Sequence, residues 1–226
     1  MGQPLSSSGN DGPDIRILDA AERLFMEHGY EATSTRMVTR DAAVNLAAVN
    51  YYFGSKEGLM QAVLRRRLDW LNRERLHLLD AAETEARGAP LKPSLIVDYF
   101  FGTLLRMGAR PETGGQTFQR LLGRTHTEPA AFISTFLASE YADVVNRYKS
   151  ALCRALPDVP REEIVWRFHF MLGATAYAIT GTDSLQLITD WKMEEDVQVQ
   201  AQKLLARLMS FLLGGLRAPL PQSRSA

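Results

Sequence analysis

Thr33–Lys56 reads TSTRMVTRDAAVNLAAVNYYFGSK, two short apolar-periodic segments joined by a tight turn. Thr33 or Ser34 can open the first segment, whose apolar face includes Val38 and Ala42. Asn45 can cap the second, which runs from Leu46 to about Tyr52. Helices this short are unstable alone and need a third to pack against. The residues just before them supply it. From Asp14 to His28, Ile17, Leu18, Ala21, Leu24 and Phe25 share one helical face, with Asp14 placed to cap the start and Gly29 to end it. Val38, Val44, Val49 and Phe53 are then the small common core. Three helices in this arrangement, with a two-turn third, have the dimensions of a unit that inserts a helix into the DNA major groove.

Working outward, Ser55 caps a fourth helix that continues to about Ala86 and carries Leu59, Val63, Leu64, Leu68 and Leu71. Gly88–Pro93 breaks the pattern and is expected to separate the DNA-binding half from the rest. Helices follow near Ser94–Ala109, Gly115–Thr125, Pro129–Leu156, Arg161–Thr182 and Glu194–Leu216. Neither alternating strands nor internal repeats are present. The expected fold is all-α with about nine helices. It divides into a flexible arm (1–13), a three-helix DNA-binding domain (14–60), a larger helical effector-binding and dimerisation domain (61–217) and a disordered tail (218–226).

Composition narrows the function classes. The 226 residues carry 26 Lys and Arg against 26 Asp and Glu, so bulk charge does not drive nucleic-acid binding. Within Thr33–Lys56, however, Arg36, Arg40 and Lys56 face only Asp41, a local charge of 3 − 1 = +2. The single Cys153 rules out an intramolecular disulfide framework. The arm lacks a signal-peptide core, and the charge-free run Phe168–Thr182 falls short of a membrane span, so a soluble, cytoplasmic protein is expected. The histidines His28, His77, His126 and His169 are scattered, and no metal-ligand spacing, nucleophile elbow or phosphate loop occurs. His126-Thr127-Glu128 imitates part of a zinc-deaminase signature but lacks the downstream Pro-Cys-x-x-Cys. No catalytic residue, metal or cofactor is expected.

The stretch ILDAAERLFMEHGYEATSTRMV, followed by AAVNLAAVNYYFGSKEGLM, resembles the TetR family of transcriptional regulators over about 50 residues. NLAAVNYYFGSK is more weakly similar to the family's fatty-acid-responsive branch. The resemblance implies a DNA-facing set of Ser34, Thr35, Arg36, Asn45, Leu46, Ala47, Ala48, Asn50, Tyr51, Tyr52 and Lys56. Lys56, Ser34, Thr35 and the two tyrosines suit the phosphate backbone. Asn50 suits adenine, Arg36 guanine, and Leu46, Ala47 and Ala48 thymine methyls. Arg40 either contacts phosphate or is simply solvated or paired with Asp41, while Arg65, Arg66 and Arg67 read as a solvated face. One departure stands out: the turn holds Ala43 where the family usually has Gly. A positive φ there would add strain of about 1 kcal/mol.

In that family the last two helices pair across a two-fold axis. The implied interface here is Gly173, Ala174, Ala178, Leu205, Leu208 and Leu212, and a dimer would set two recognition helices roughly 34–36 Å apart on double-stranded DNA carrying a pseudo-palindromic operator. The implied effector pocket draws on Phe100, Met107, Phe118, Phe136, Trp166, His169, Phe170 and Tyr177. An acyl chain or acyl-CoA is the effector class the branch suggests, with binding expected to tilt the helix that begins at Ser55. Competing readings are an activator and a helical module that binds protein instead of DNA.

Overall fold

The computed structural model describes residues 12–108, 115–127, 131–180 and 197–220. Most of the expected arm and tail lies outside them, as do Pro129, Thr182 and Glu194. Among the described residues the secondary structure is entirely helical. The helices are α1 (Pro13–Ala32), α2 (Thr35–Asp41), α3 (Leu46–Phe53), α4 (Lys56–Ala86), α5 (93–108), α6 (Gly115–Thr127), α7 (Ala131–Ala155), α8 (Arg161–Thr180) and α9 (Val197–Leu216). Helix α5 is one rod in three parts: Pro93–Val97, a π turn at Asp98–Gly102, and Thr103–Gly108. These elements form two compact units that divide within α4, after Arg66. The Gly88–Pro93 break therefore falls inside the second unit and does not separate the two.

The first unit is stitched by its caps. Ser34 Oγ accepts from the Met37 amide at 3.2 Å, Asn45 Oδ1 from Ala48 at 2.9 Å, and Ser55 Oγ from Gly58 at 3.0 Å, so α2, α3 and α4 each have one orphan donor of the first turn satisfied. The start of α1 corrects the sequence expectation. Gly12 is the capping residue, Pro13 takes the first turn, and Asp14 sits inside that turn, where its charge favours the helix dipole. Regular α1 geometry stops at Gly29 (φ 80°). The buried Thr33 hydroxyl lies within hydrogen-bond distance of the Gly29 and Leu24 carbonyls, at 2.8 and 3.0 Å, and fastens that bend. Ile17, Ala21, Phe25, Val38 and Val49 fill the core, while Val44 and Phe53 are half-buried at its edge.

In the second unit α6 packs along α8, α9 runs against α8 and α5, and α7 lies on α5 and α8. Phe100 is the hub, with ring centroids 4.9 Å from Phe101, 4.9 Å from Phe168 and 5.1 Å from Tyr148. The Asp98–Arg106 ion pair, at 2.9 Å, passes over Gly102, where any Cβ would meet Asp98 Oδ1 at 2.5 Å. Arg167 ties the last two helices together. Its guanidinium donates to Glu163 at 2.9 Å and to the Leu216 carbonyl at 2.6 Å, satisfying an orphan acceptor at the end of α9. No described helix is long and apolar enough to cross a membrane.

Candidate DNA-binding surface and effector cavity

Helix α3 buries only Val49 and turns the rest of its surface outward. Asn45, Leu46, Ala47, Asn50, Tyr51 and Tyr52 are exposed; Ala48 is half-buried. Tyr51 is 83% exposed and meets Tyr52 edge to face, with centroids 5.0 Å apart. A large apolar ring left in water on a two-turn helix is the mark of a surface built to be covered. At the start of α2, Ser34 and Arg36 are exposed and Thr35 half-buried. The amide of Asn45's side chain remains available, since only its oxygen is engaged in capping.

The turn between α2 and α3 carries the strain its sequence implies. Ala43 sits at φ 51°, in the left-handed region where an L-residue with a Cβ is disfavoured. Neighbouring bonds hold it there: Ala42 donates to Val38 at 2.9 Å, and Val44 to Thr39 at 3.0 Å. Asp41 is paired with Arg23 of α1 and not with Arg40, which stays exposed beside the turn.

Lys56 is fixed before any partner arrives. Its ammonium donates to the Glu31 carbonyl at 3.2 Å and stands 4.3 Å from the centroid of Tyr30. Of the arginine run on α4, Arg65 is exposed and Arg67 half-buried, but Arg66 departs from a solvated face. Arg66 is half-buried and joins Asp19, at 2.7 Å, and the buried Glu22, both on α1. Burial opposes its charge, but the two carboxylates outweigh that and raise its pKa.

A cavity of about 630 Å³ lies within the second unit, walled by α4, α5, α6, α7 and α8. Its lining is mainly apolar, with Phe100, Leu104, Leu122, Leu137, Val145 and Ile179 among the contributors. Its polar members include Arg75, Thr125, Ser134, Tyr141, His169 and Thr175. Of the residues expected from sequence to line a pocket, Phe100 and His169 do. Met107, Phe118 and Phe136 are buried elsewhere in the core.

Trp166, Phe170 and Tyr177 correct the expectation outright. They are 51%, 63% and 69% exposed and point away from the interior. With Gly173 they form a stripe along α8, and Phe211 of α9 is similarly bare at 68%. The opposite correction applies to two residues expected at an interface: Leu208 and Leu212 are buried within the chain. Ala174, Ala178 and Leu205 are half-buried. Arg75 and Thr175 were missed by sequence reasoning, because a lone Arg on a helix reads as solvated and a lone Thr as filler.

Comparison with known proteins bears on the whole chain. Residues 17–63 match the family model for bacterial regulatory proteins of the tetR family, and residues 98–215 match the tetracyclin repressor-like C-terminal domain. The HTH-type transcriptional dual regulator CecR of Shigella flexneri is 23% identical over 224 residues, spanning 95% of this chain and 97% of that protein. The probable HTH-type regulator YttP of Bacillus subtilis is 41% identical over 46 residues, only 22% of its length. Among solved structures, the fatty acid degradation regulator FadR of Bacillus halodurans superposes with a TM-score of 0.61 at 15% identity, covering 94% of this chain and 100% of that one. FadR of Bacillus subtilis, solved in complex with stearoyl-CoA, gives 0.60 at 13% identity, covering 89% and 98%.

Proposed function

The chain belongs to the TetR family of bacterial regulatory proteins, and on that premise we propose a homodimeric repressor released from a pseudo-palindromic operator by a small, largely apolar effector. It is a transcriptional regulator with a DNA-binding helix-turn-helix, not an enzyme. The observation that carries the proposal is the outward face of α3, where Leu46, Asn50 and Tyr51 stand in solvent on a helix capped at its start and buried only at Val49. Lys56, Ser34, Thr35 and Tyr52 serve the phosphates, while Asn50 and Arg36 read base edges and Leu46, Ala47 and Ala48 meet thymine methyls. With a net charge of zero and a local charge of +2, one such unit binds weakly, and specificity comes from two acting together.

The stripe of Trp166, Phe170, Gly173 and Tyr177, with Phe211, is the face we assign to the two-fold partner. Exposed aromatic rings grouped in this way are typical of a surface that another protein covers. Gly173 carries no neighbour within 4 Å of an added Cβ, which leaves room for a partner helix to come close. The effector occupies the cavity of the second unit, whose volume falls in the range usual for small-molecule sites. It lowers operator affinity only insofar as it binds one conformation better than the other.

The test is selection of bound fragments from the source genome, followed by band-shift titration of the recovered site at graded salt. A palindromic site bound with steep salt dependence is the expected result. Binding without sequence preference at every salt concentration would remove the regulator reading. Sedimentation of Phe170→Glu should show monomers that no longer retain the operator.

A further inference from the structure

Arg75 is the most buried large side chain of the chain's polar set, 1% exposed, and it lines the cavity. Its contacts are of an uncommon kind for a buried guanidinium. Nε donates to the Phe100 carbonyl at 2.8 Å, and a terminal nitrogen reaches Asn72 Oδ1 at 3.4 Å. The guanidinium carbon stands 3.9 Å from the centroid of Phe100 and 5.8 Å from that of Tyr141. Among the described residues it forms no ion pair with a carboxylate. Two tyrosines are close, and the Tyr141 side chain hydrogen-bonds the guanidinium, but neither supplies the missing negative charge. Burial raises the pKa of Tyr141 and of Tyr148, so both stay neutral phenols. The Tyr148 hydroxyl is in any case committed to the Arg75 carbonyl at 2.7 Å. A cation taken out of water without a counter-charge is costly unless an anion joins it.

A second observation on another wall points the same way. Thr175 is 3% exposed, lines the same cavity, and its hydroxyl has no hydrogen-bond partner among the described residues. Buried hydroxyls are ordinarily paired, and a threonine on a helix has a backbone carbonyl of its preceding turn at hand. This one leaves that carbonyl unused and stays available to a ligand oxygen.

We infer that the cavity takes an amphipathic monocarboxylate, whose carboxylate meets the Arg75 guanidinium, whose apolar body fills the space beside Phe100, Leu104 and Ile179, and to which Thr175 offers its hydroxyl. This rests on the effector-cavity reading above and narrows it to a charge class. Arg75 is the sole arginine or lysine in the described lining, which suits one carboxylate and not the several phosphates of a CoA ester. The free acid, not its thioester, is the ligand. The planar guanidinium fork fits a carboxylate with two parallel bonds, a geometry that a neutral ester or alcohol cannot match.

The experiment is calorimetric titration of the full-length protein with octanoate, dodecanoate, palmitate and cholate, each run beside its methyl ester, and with palmitoyl-CoA. At least one acid should bind roughly tenfold or more tightly than its ester, as a charge-assisted bond requires. Arg75→Met should erase that preference while ester binding persists. Thr175→Val, which removes a hydroxyl already without a partner, should keep the protein folded and weaken binding of the acid several-fold. Equal binding of acid and ester, tighter binding of palmitoyl-CoA than of palmitate, or an unchanged preference in Arg75→Met each overturns the carboxylate assignment and leaves the apolar cavity reading standing. If neither acids nor esters bind, both readings fall together.

Discussion

Arg66 and Arg75 stand on the same helix, one in each compact unit, and their surroundings differ in kind. Arg66 meets Asp19 and Glu22, so the first unit closes its half-buried charge with its own carboxylates. Arg75 meets a carbonyl, an amide oxygen, the Tyr141 side chain and the Phe100 ring, and among the described residues no carboxylate closes its charge. The contrast extends to the polar groups around them. In the first unit, Ser34, Asn45, Ser55 and Thr33 all spend their side chains on backbone groups. In the second, the Thr175 hydroxyl has no partner among the described residues. The first unit leaves the buried Arg66 Nε without a partner among the described residues, but no cavity opens onto it, and the unit faces its partner with its outside. The other keeps unfinished groups on its inside.

Substitutions can break or sharpen that contrast. The largest effect is expected for Glu22→Gln, which leaves Arg66 half-buried with half its pairing gone. It should cost about 3 kcal/mol in urea denaturation, and a loss under a third of that would show the pair to be ornamental. Next, Asn50→Ala should forfeit about 2 kcal/mol of discrimination at a single base pair, read by competition with single-base operator variants. Lys56→Ala should instead weaken all sequences alike and shallow the salt slope by about one; identical profiles for the two variants would refute the division of labour. Ala43→Gly should add about 1 kcal/mol of stability by relieving the left-handed turn, seen as a rise in Tm. Smallest is Arg75→Met, which should change stability by less than about 1 kcal/mol because no charge is left stranded. Were it to cost as much as Glu22→Gln, Arg75 would be a structural residue like Arg66.

Much of the first unit could be read directly from its residues, because its determinants are local. Caps three residues from the amides they satisfy, a glycine at the end of α1 and an alanine in a strained turn all act within a few positions. The second unit resisted for an equally physical reason. Helix α8 is apolar on two faces: Phe168, Met171, Ala176 and Ile179 turn inward, while Trp166, Phe170 and Tyr177 turn outward. Helical periodicity identifies such a segment as a helix but does not say which face meets its own chain. Trp166, Phe170 and Tyr177 were therefore expected in the cavity and Leu208 and Leu212 at an interface, whereas the three aromatics are exposed and the two leucines buried. Arg66 and Arg75 were opaque for a related reason, since their burial depends on which helix lands above them.

The π turn at Asp98–Gly102 has a consequence for comparing this chain with others. A π turn amounts to one residue inserted into an α-helix, and one residue is about 100° of rotation. A relative whose corresponding rod is regular will be a residue shorter there, and an alignment that places no gap will put its side chains one position out of phase on one flank. The rod supplies Phe100, Phe101 and Leu104 to the cavity. Ligand contacts carried over by column from a relative with a regular rod would land on the wrong face of α5.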